Sequence, residues 1–83
     1  MARVIVMPPF DSEFFAGRDR LELAADSLFA LVSALDGEAP GFAAIAQPRA
    51  TFAVDGVVTP DWATPLSPAS EVVLLPRVGG GWA

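Results

Sequence analysis

One apolar run, Glu71-Val72-Val73-Leu74-Leu75-Pro76, continues directly into the segment Arg77-Val78-Gly79-Gly80-Gly81-Trp82-Ala83. The run is rich in valine and leucine, and it predicts a β-strand. The three glycines that follow have no side chains to pack in a core, and ordering their backbone costs much entropy. We therefore predict a domain over residues 1–78 and a flexible tail over residues 79–83, suited to entering a narrow site on another protein.

The composition indicates one small folded domain with an acidic balance. The chain has 83 residues, of which 53% are hydrophobic and 18% charged, as in folded globular proteins. Ten acidic and five basic residues give a net charge of −5, which argues against nucleic acid as a partner. No apolar run is long enough to span a membrane, and residues 1–7 lack the order of a signal peptide. We expect a cytoplasmic protein that binds neither nucleic acid nor membrane.

The chain lacks the side chains on which many catalytic and metal sites depend. It contains no Cys and no His, and all five basic residues are Arg. Disulfides, thiolate nucleophiles, the commonest zinc ligands and Schiff-base lysines are therefore excluded. Two carboxylate pairs, Asp11 with Glu13 and Asp36 with Glu38, have no nucleophilic partner nearby in the sequence, so we assign them no catalytic role. We expect no metal site, no cofactor bound by the chain itself and no enzymatic activity.

The N-terminal third has the pattern of two strands joined by a long connection. Residues 3–7 are rich in β-branched side chains, and alternation predicts that Val4 and Val6 point inward. Residues 19–23 alternate polar and apolar side chains, as in a half-buried strand. Residues 10–17 between them are predicted as a loop, in which the pair Phe14-Phe15 covers one end of the core.

The middle of the chain changes to a helical period. Leu28, Val32 and Leu35 predict a helix over residues 26–35 because they recur at i, i+4 and i+7. Asp26 or Ser27 is placed to cap its start, and Gly37 is placed for a left-handed C-cap. A short helical turn is predicted over residues 42–45, before Pro48.

The second half returns to strands. Residues 50–54 predict a strand, and Asp55-Gly56 is a strong signal for a two-residue hairpin turn that leads to Val57-Val58. Residues 59–70 contain three prolines and are predicted as a loop, with Trp62 packed against the body of the domain.

This order of elements predicts an α+β domain with a mixed sheet of four to five strands packed on one main helix. The first and last strands are continuous apolar runs, as expected for parallel neighbours in the middle of a sheet. The arrangement is that of the ubiquitin-like β-grasp.

Three pieces of the chain resemble the ThiS/MoaD family of sulfur carrier proteins. The first is the opening strand, residues 3–7. The second is Phe52-Ala53-Val54-Asp55-Gly56, similar to the "AVNG" turn of that family, with Thr64-Pro65-Leu66 and Glu71-Val72 after it. The third is the run of residues 72–76 into Val78-Gly79-Gly80-Gly81. The segment Pro76-Arg77-Val78 looks more like the small subunit of molybdopterin synthase than like the thiazole carrier.

The resemblance implies a function for the glycines. In this family an E1-like adenylating enzyme of the MoeB/ThiF type uses ATP to activate the terminal glycine carboxylate, which becomes a thiocarboxylate. A synthase then accepts the sulfur. The implied site of adenylation is Gly81, and Gly80 keeps the tail thin enough for a narrow channel. Because Trp82 and Ala83 follow, the resemblance also implies a protease that cuts between Gly81 and Trp82.

Alternation and the resemblance together predict the surface that meets the partners. If Val72 and Leu74 point inward, Val73 and Leu75 point outward, and Met7 and Val58 join them on the same face in the family. We predict that Met7, Val58 and Leu75 contact the activating enzyme. Arg77, Val78 and Gly79 accompany the tail into it.

Other interpretations remain open from the sequence. Val73 and Leu75 are also compatible with burial beneath the loop of residues 59–70. The chain is also compatible with a ubiquitin-like binding module whose tail is never activated, or with a protein modifier joined through Gly81. Without Lys, such a modifier forms no chains on itself through side-chain amines.

Overall fold

The computed structural model describes residues 1–77, and the predicted tail, residues 79–83, lies with Val78 outside the described residues. The elements in chain order are β1 (Ala2–Val6), α1 (Phe10–Phe14), β2 (Arg20–Leu23), α2 (Leu28–Glu38), α3 (Phe42–Arg49), β3 (Ala50–Val54), β4 (Val57–Val58) and β5 (Glu71–Pro76). Within these residues, no helix has the length and apolarity needed to cross a bilayer.

The strands form one mixed five-stranded sheet in the order β2-β1-β5-β3-β4. β1 and β5 run parallel at its centre, with Val4 opposite Val72 and Val6 opposite Leu74. The other three pairings are antiparallel. The predicted α+β class, with its first and last strands parallel in the middle of the sheet, is confirmed.

One face of the sheet packs against the helices and forms the core. Val4, Val6, Val72 and Leu74 are buried, with at most 1% of each residue exposed. They pack in one cluster with four residues of α2, namely Leu28, Leu31, Val32 and Leu35. The inward side chains of β1 and β5 and the apolar face of α2 were therefore predicted correctly.

Ser27, one of the two predicted caps, lies directly before the main helix, which begins at Leu28 and ends later than predicted. The hydroxyl of Ser27 accepts a hydrogen bond from the Ala30 N–H at 3.1 Å, which caps α2. The prediction of Gly37 as C-cap was wrong, because the helix continues through it to Glu38. Ala39 leaves the helical conformation instead, with φ −137° and ψ 88°. The cause is Pro40, since a residue before proline is driven out of the α region.

Residues 10–17 were predicted as a loop, yet they contain the five-residue helix α1. Phe10 and Phe15 are buried at either end of it. Both meet Phe42 of α3, with ring centroids 6.1 Å and 5.5 Å apart, and Phe14 meets the same ring at 5.6 Å. The predicted role of Phe14 and Phe15 in covering one end of the core is confirmed.

The helical turn predicted over residues 42–45 is the start of an eight-residue helix, α3. The carboxylate of Asp36 stabilises its first turn by accepting hydrogen bonds from the Gly41 N–H at 3.1 Å and the Ala43 N–H at 3.0 Å. Carboxylates are favourable at a helix N-terminus because unpaired N–H groups point outward there. α3 then continues through Pro48 and ends at Arg49.

The predicted hairpin turn at Asp55-Gly56 is confirmed. Both residues have positive φ, 49° and 85°, as a two-residue turn of type I′ requires. The following loop packs beside the start of α2, where the Thr64 and Trp62 carbonyls accept the Leu28 and Phe29 N–H groups.

The ring of Trp62 lies edge-on to Phe52, with centroids 6.0 Å apart, which confirms its packing role. Phe52 pairs with the inward residue Leu74, so Trp62 supports the inward side of the sheet.

Candidate functional site

The outward face of the sheet carries a continuous apolar row. Ile5 lies opposite Val73, Val73 opposite Ala53, and Ala53 opposite Val58, so the row crosses four strands. Residues paired across strands project from the same face. Val73 and Leu75 are only half-buried. These two side chains are therefore accessible from the outward face, as alternation predicted.

The tail-proximal end of this face forms a groove of about 640 Å³, which we call the outer groove. Its lining residues share one end of the sheet and are mostly apolar: Met7, Pro8, Thr51, Val58, Leu75, Pro76 and Arg77. Met7 is 39% exposed and Val58 61% exposed. Exposed apolar side chains gathered in one groove are typical of a surface that binds a partner.

Rigid elements position the outer groove. β5 pairs with β1 over residues 71–74 and with β3 over residues 72–76, so its centre is held on both sides. The Met7 N–H donates to the Leu74 carbonyl at 2.9 Å, which fixes the residue just after β1 beside the end of β5. The Arg77 N–H donates to the Arg49 carbonyl. The groove and the root of the tail are thus held by the same central strand.

A second depression of about 390 Å³ lies beside the edge of β3, and we call it the edge groove. It arises because β4 pairs only with Ala53 and Val54, so the start of β3 has no strand on that side. Gln47, Pro60, Asp61 and Trp62 line it, and it shares Thr51, Val58 and Arg77 with the outer groove. The edge groove is therefore more polar than the outer groove.

The charges near the outer groove are distributed unevenly. Among the described residues that line it, Arg77 is the only charged one. Arg3, Arg18 and Arg49 lie elsewhere, in ion pairs with Glu71, Glu38 and Glu13 at 3.5, 3.3 and 2.7 Å. The outer groove therefore combines an apolar floor with a single guanidinium at the root of the tail.

The carboxylate pairs noted in the sequence have structural partners. Glu13 accepts two hydrogen bonds from the guanidinium of Arg49, which hold the pKa of Glu13 below its usual value. Asp36 caps α3, and Glu38 pairs with Arg18. Within residues 1–77 no cluster of three or more metal-ligating side chains occurs. Glu13, Asp36 and Glu38 therefore have structural roles.

The structure brings four predicted site residues together, namely Met7, Val58, Leu75 and Arg77, around the outer groove. The other predicted site residues, Val78, Gly79, Gly80, Gly81 and Trp82, lie outside the described residues. The alternative that the loop of residues 59–70 buries Val73 and Leu75 is not supported, since both are only half-buried and Leu75 lines the outer groove.

Pro8, Thr51 and Pro76 also line the outer groove, and the sequence patterns did not predict them there. Thr51 lies directly opposite Leu75. Alternation along the strands would have placed Thr51 on the outward face if the register between β3 and β5 had been known.

Comparison with known proteins identifies the fold. No family model matches the sequence, and no curated protein matches it. The structure is similar to the crystal structure of Mycobacterium tuberculosis CysO, which is described as an antigen. The TM-score is 0.80 at 18% sequence identity, and the match covers 94% of this chain and 100% of that one. The likeness at this level of identity shows that the chain has the β-grasp fold.

Proposed function

We propose that this chain is a sulfur carrier protein, and that Gly81 is its reactive residue once Trp82 and Ala83 are removed. The observation that carries the proposal is the position of the outer groove: it lies at the end of the central strand β5, and the glycine segment begins after only Arg77 and Val78. The ThiS/MoaD-like motifs lie on this architecture, and the β-grasp fold shared with CysO supports it. The chain acts as the substrate of other enzymes and is not itself a catalyst.

The chemistry begins at the Gly81 carboxylate. A carboxylate is a poor electrophile, so one of its oxygens attacks the α-phosphorus of ATP, and pyrophosphate leaves. The product is an acyl adenylate, whose leaving group is AMP. A hydrosulfide equivalent then attacks the carbonyl carbon, a C–S bond forms, and the C–O bond to AMP breaks with AMP taking the electron pair. The chain then ends in a thiocarboxylate.

The residues of this chain contribute position rather than catalysis. β5 is anchored on both sides, so the domain presents the root of the tail in a fixed place. Glycines at positions 79, 80 and 81 add no side-chain bulk, which leaves the carbonyl of Gly81 accessible in a narrow channel. Val78 and Gly79 would accompany Arg77 into the activating enzyme.

The partner that fits this surface is an E1-like adenylating enzyme of the MoeB/ThiF type. It would cover Met7, Val58 and Leu75 with apolar side chains and meet Arg77 with an acceptor or a carboxylate. The net charge of −5 favours a partner with a basic surface around that patch, because opposite charges speed encounter. A synthase would later accept the sulfur. The segment Pro76-Arg77-Val78 favours a molybdopterin-type pathway, and we place these steps in the cytoplasm.

One observation favours a second candidate function. Gly81 is followed by Trp82 and Ala83, so its carboxyl group is in a peptide bond. If no protease cuts there, the chain is a ubiquitin-like binding module that uses the outer groove without activation.

The two functions are separated by ATP–pyrophosphate exchange with the adenylating enzyme of the same host. We expect exchange with the chain that ends at Gly81 and none with the 83-residue chain. A matched control ends at residue 81 but carries Gly81→Ala, and its exchange should be weaker because a methyl group crowds the reacting carbonyl. Equal exchange from all three chains, or none from any, would contradict the carrier function.

A further inference from the structure

The edge of the sheet at β2 carries unpaired backbone groups. β2 is the first strand in the sheet order and pairs only with β1. The Val6 N–H donates to the Asp19 carbonyl at 2.8 Å, so these two residues form a hydrogen-bonded pair of the antiparallel ladder. Such pairs alternate with non-hydrogen-bonded ones. Leu21 therefore also bonds to β1, whereas Arg20 and Glu22 turn their N–H and C=O groups toward the free edge.

This free edge is a template on which another strand can pair. We propose that β2 pairs in antiparallel orientation with β2 of a second copy of this chain, around a twofold axis that passes beside Leu21. The two five-stranded sheets then join into one continuous sheet. A twofold interface uses the same surface on both copies, which is the commonest symmetry of soluble homo-oligomers. The inference does not depend on the carrier function.

The charges of β2 select one register for this pairing. Because Arg20 and Glu22 carry the free groups, a symmetric register must place these residues opposite each other or opposite themselves. Arg20 opposite Arg20, or Glu22 opposite Glu22, brings like charges together at the axis, which is destabilising. Arg20 opposite Glu22 of the second copy gives an opposite-charge pair on each side of the axis, with Leu21 opposite Leu21 between them. This register also gives every free N–H and C=O of both residues a partner.

The two charged side chains are available for a second copy. Both are exposed, and both project from the outward face of the sheet. Within residues 1–77 neither Arg20 nor Glu22 takes part in an ion pair. Arg3 lies directly opposite Glu22 on β1, but its guanidinium is paired with Glu71 at 3.5 Å. Association through β2 would therefore give these charges partners without breaking an existing ion pair.

The opposite edge of the sheet is less suited to such pairing. β4 has only two residues, Val57 and Val58, and neither carries a charge that could select a register. The outer groove is also left free, because no residue of β2 lines it. A twofold axis perpendicular to the joined sheet places the outer grooves of both copies on the same side of that sheet.

The association should be weak and reversible. β2 is only four residues long, and each copy has a net charge of −5, which opposes close approach. Small interfaces are typical of transient complexes. We expect a Kd on the order of 0.1–1 mM.

The test begins with the full chain at concentrations from well below to above this Kd. Sedimentation equilibrium should fit a monomer–dimer equilibrium. In proton–nitrogen NMR spectra, the amide signals of Arg20, Leu21 and Glu22 should shift with concentration, whereas those of Met7 and Val58 should stay in place. Shifts confined to Met7 and Val58 would show association through the apolar outer groove and would overturn the inference.

Charge exchange within β2 tests the register. Arg20→Glu and Glu22→Arg each leave residues 20 and 22 with the same charge, so each should raise Kd at least about fivefold. Glu22→Arg separates the register from general repulsion, because it lowers the net negative charge and general repulsion alone would then predict tighter association. The double variant Arg20→Glu/Glu22→Arg is the matched control. It keeps the net charge of the unsubstituted chain, restores the opposite-charge pairs and should associate as that chain does.

Three results would contradict the inference. One is an unsubstituted chain that stays monomeric at all these concentrations, and another is a single variant that associates as tightly as the double variant. The third is a double variant that associates no better than the single ones. Thermal unfolding of every variant checks that the fold is kept, as expected for substitutions of exposed side chains. None of these measurements involves adenylation, so they are independent of the exchange assay that tests the carrier function.

Discussion

A carboxylate placed in the outer groove should disrupt partner binding by an amount that follows from the exposure of the residue replaced. We predict that Val58→Asp, in the chain that ends at Gly81, weakens binding to the adenylating enzyme. Full burial of a valine side chain contributes about 1.5–3 kcal/mol. Since Val58 is 61% exposed in the free protein, a partner that covers it recovers about 1–2 kcal/mol of this.

The substitution removes that gain and adds the cost of taking a carboxylate out of water. An unpaired polar group adds about 1–3 kcal/mol, so the total loss is about 2–5 kcal/mol. At about 1.4 kcal/mol for each tenfold change, Kd should rise by roughly 30-fold or more. Folding should be little affected, because Val58 is exposed before the partner binds.

Isothermal titration calorimetry against the adenylating enzyme measures this change directly. Val57→Asp is the matched control, because it adds the same charge to the same two-residue strand on the opposite face, where Val57 is 65% exposed and does not line the outer groove. It therefore reports any effect of net charge on encounter. Thermal unfolding of both variants checks that the fold is kept. Equal affinities for the two variants, or a Val58→Asp variant that binds as tightly as the unsubstituted chain, would refute the assignment of the outer groove as the docking surface.

Three further predictions concern the scaffold that holds the groove. Asp36→Ala should lower the free energy of unfolding by about 1 kcal/mol, because α3 loses the acceptor for its Gly41 N–H. Asp36→Asn should retain most of that stability, since its side-chain oxygen still accepts the bond. Denaturant unfolding compares the two variants, and equal losses would contradict the capping role of Asp36. Phe42→Ala should lower the free energy of unfolding by about 3–5 kcal/mol, since the Phe42 ring is fully buried among three other phenylalanine rings. A loss below about 1 kcal/mol in the same assay would show that these rings do not stabilise the core. The hydrogen bonds from Arg49 lower the pKa of Glu13, so their stabilising effect is present above the pKa of an unfolded glutamate and is lost as pH falls through the lowered value. Glu13→Gln should therefore reduce the slope of Tm against pH in that acidic window. An unchanged slope would count against a stabilising role of the Glu13–Arg49 pair.

Much of the sheet was predictable because its signals, two apolar runs and one hairpin turn, are each visible in a short stretch of sequence. β1 and β5 are apolar on consecutive positions, which is the pattern of strands buried at the centre of a parallel pair. Asp55-Gly56 marks the hairpin because few residue pairs tolerate positive φ twice in succession. These signals predicted the parallel pair of β1 and β5 and the hairpin of β3 and β4, whereas the pairing of β5 with β3 was not predicted.

The helices were less predictable because their boundaries depend on tertiary contacts. α1 has only five residues and no side-chain cap, and it is accompanied by the burial of Phe10 against Phe42, which lies more than thirty residues away. The end of α2 was misplaced because Gly37 resembles a C-cap, whereas Pro40 terminates the helix.

The candidate site was predictable in part because side chains alternate between the two faces of a strand. Alternation along β5 placed Leu75 outward, and the family resemblance added Met7 and Val58. The contribution of Thr51 needed the register between β3 and β5, in which it lies opposite Leu75. Pro8 follows the end of β1, and no periodic pattern indicates where such a residue lies.

The most direct test of the carrier function is the intact mass of the protein purified from its own host. We predict a chain that has lost Trp82 and Ala83, with a fraction of molecules in which one oxygen is exchanged for sulfur. Incubation with the host adenylating enzyme, ATP and a sulfur donor should increase that fraction. A full-length mass in every molecule, unchanged by this incubation, would contradict the carrier function and favour a binding module.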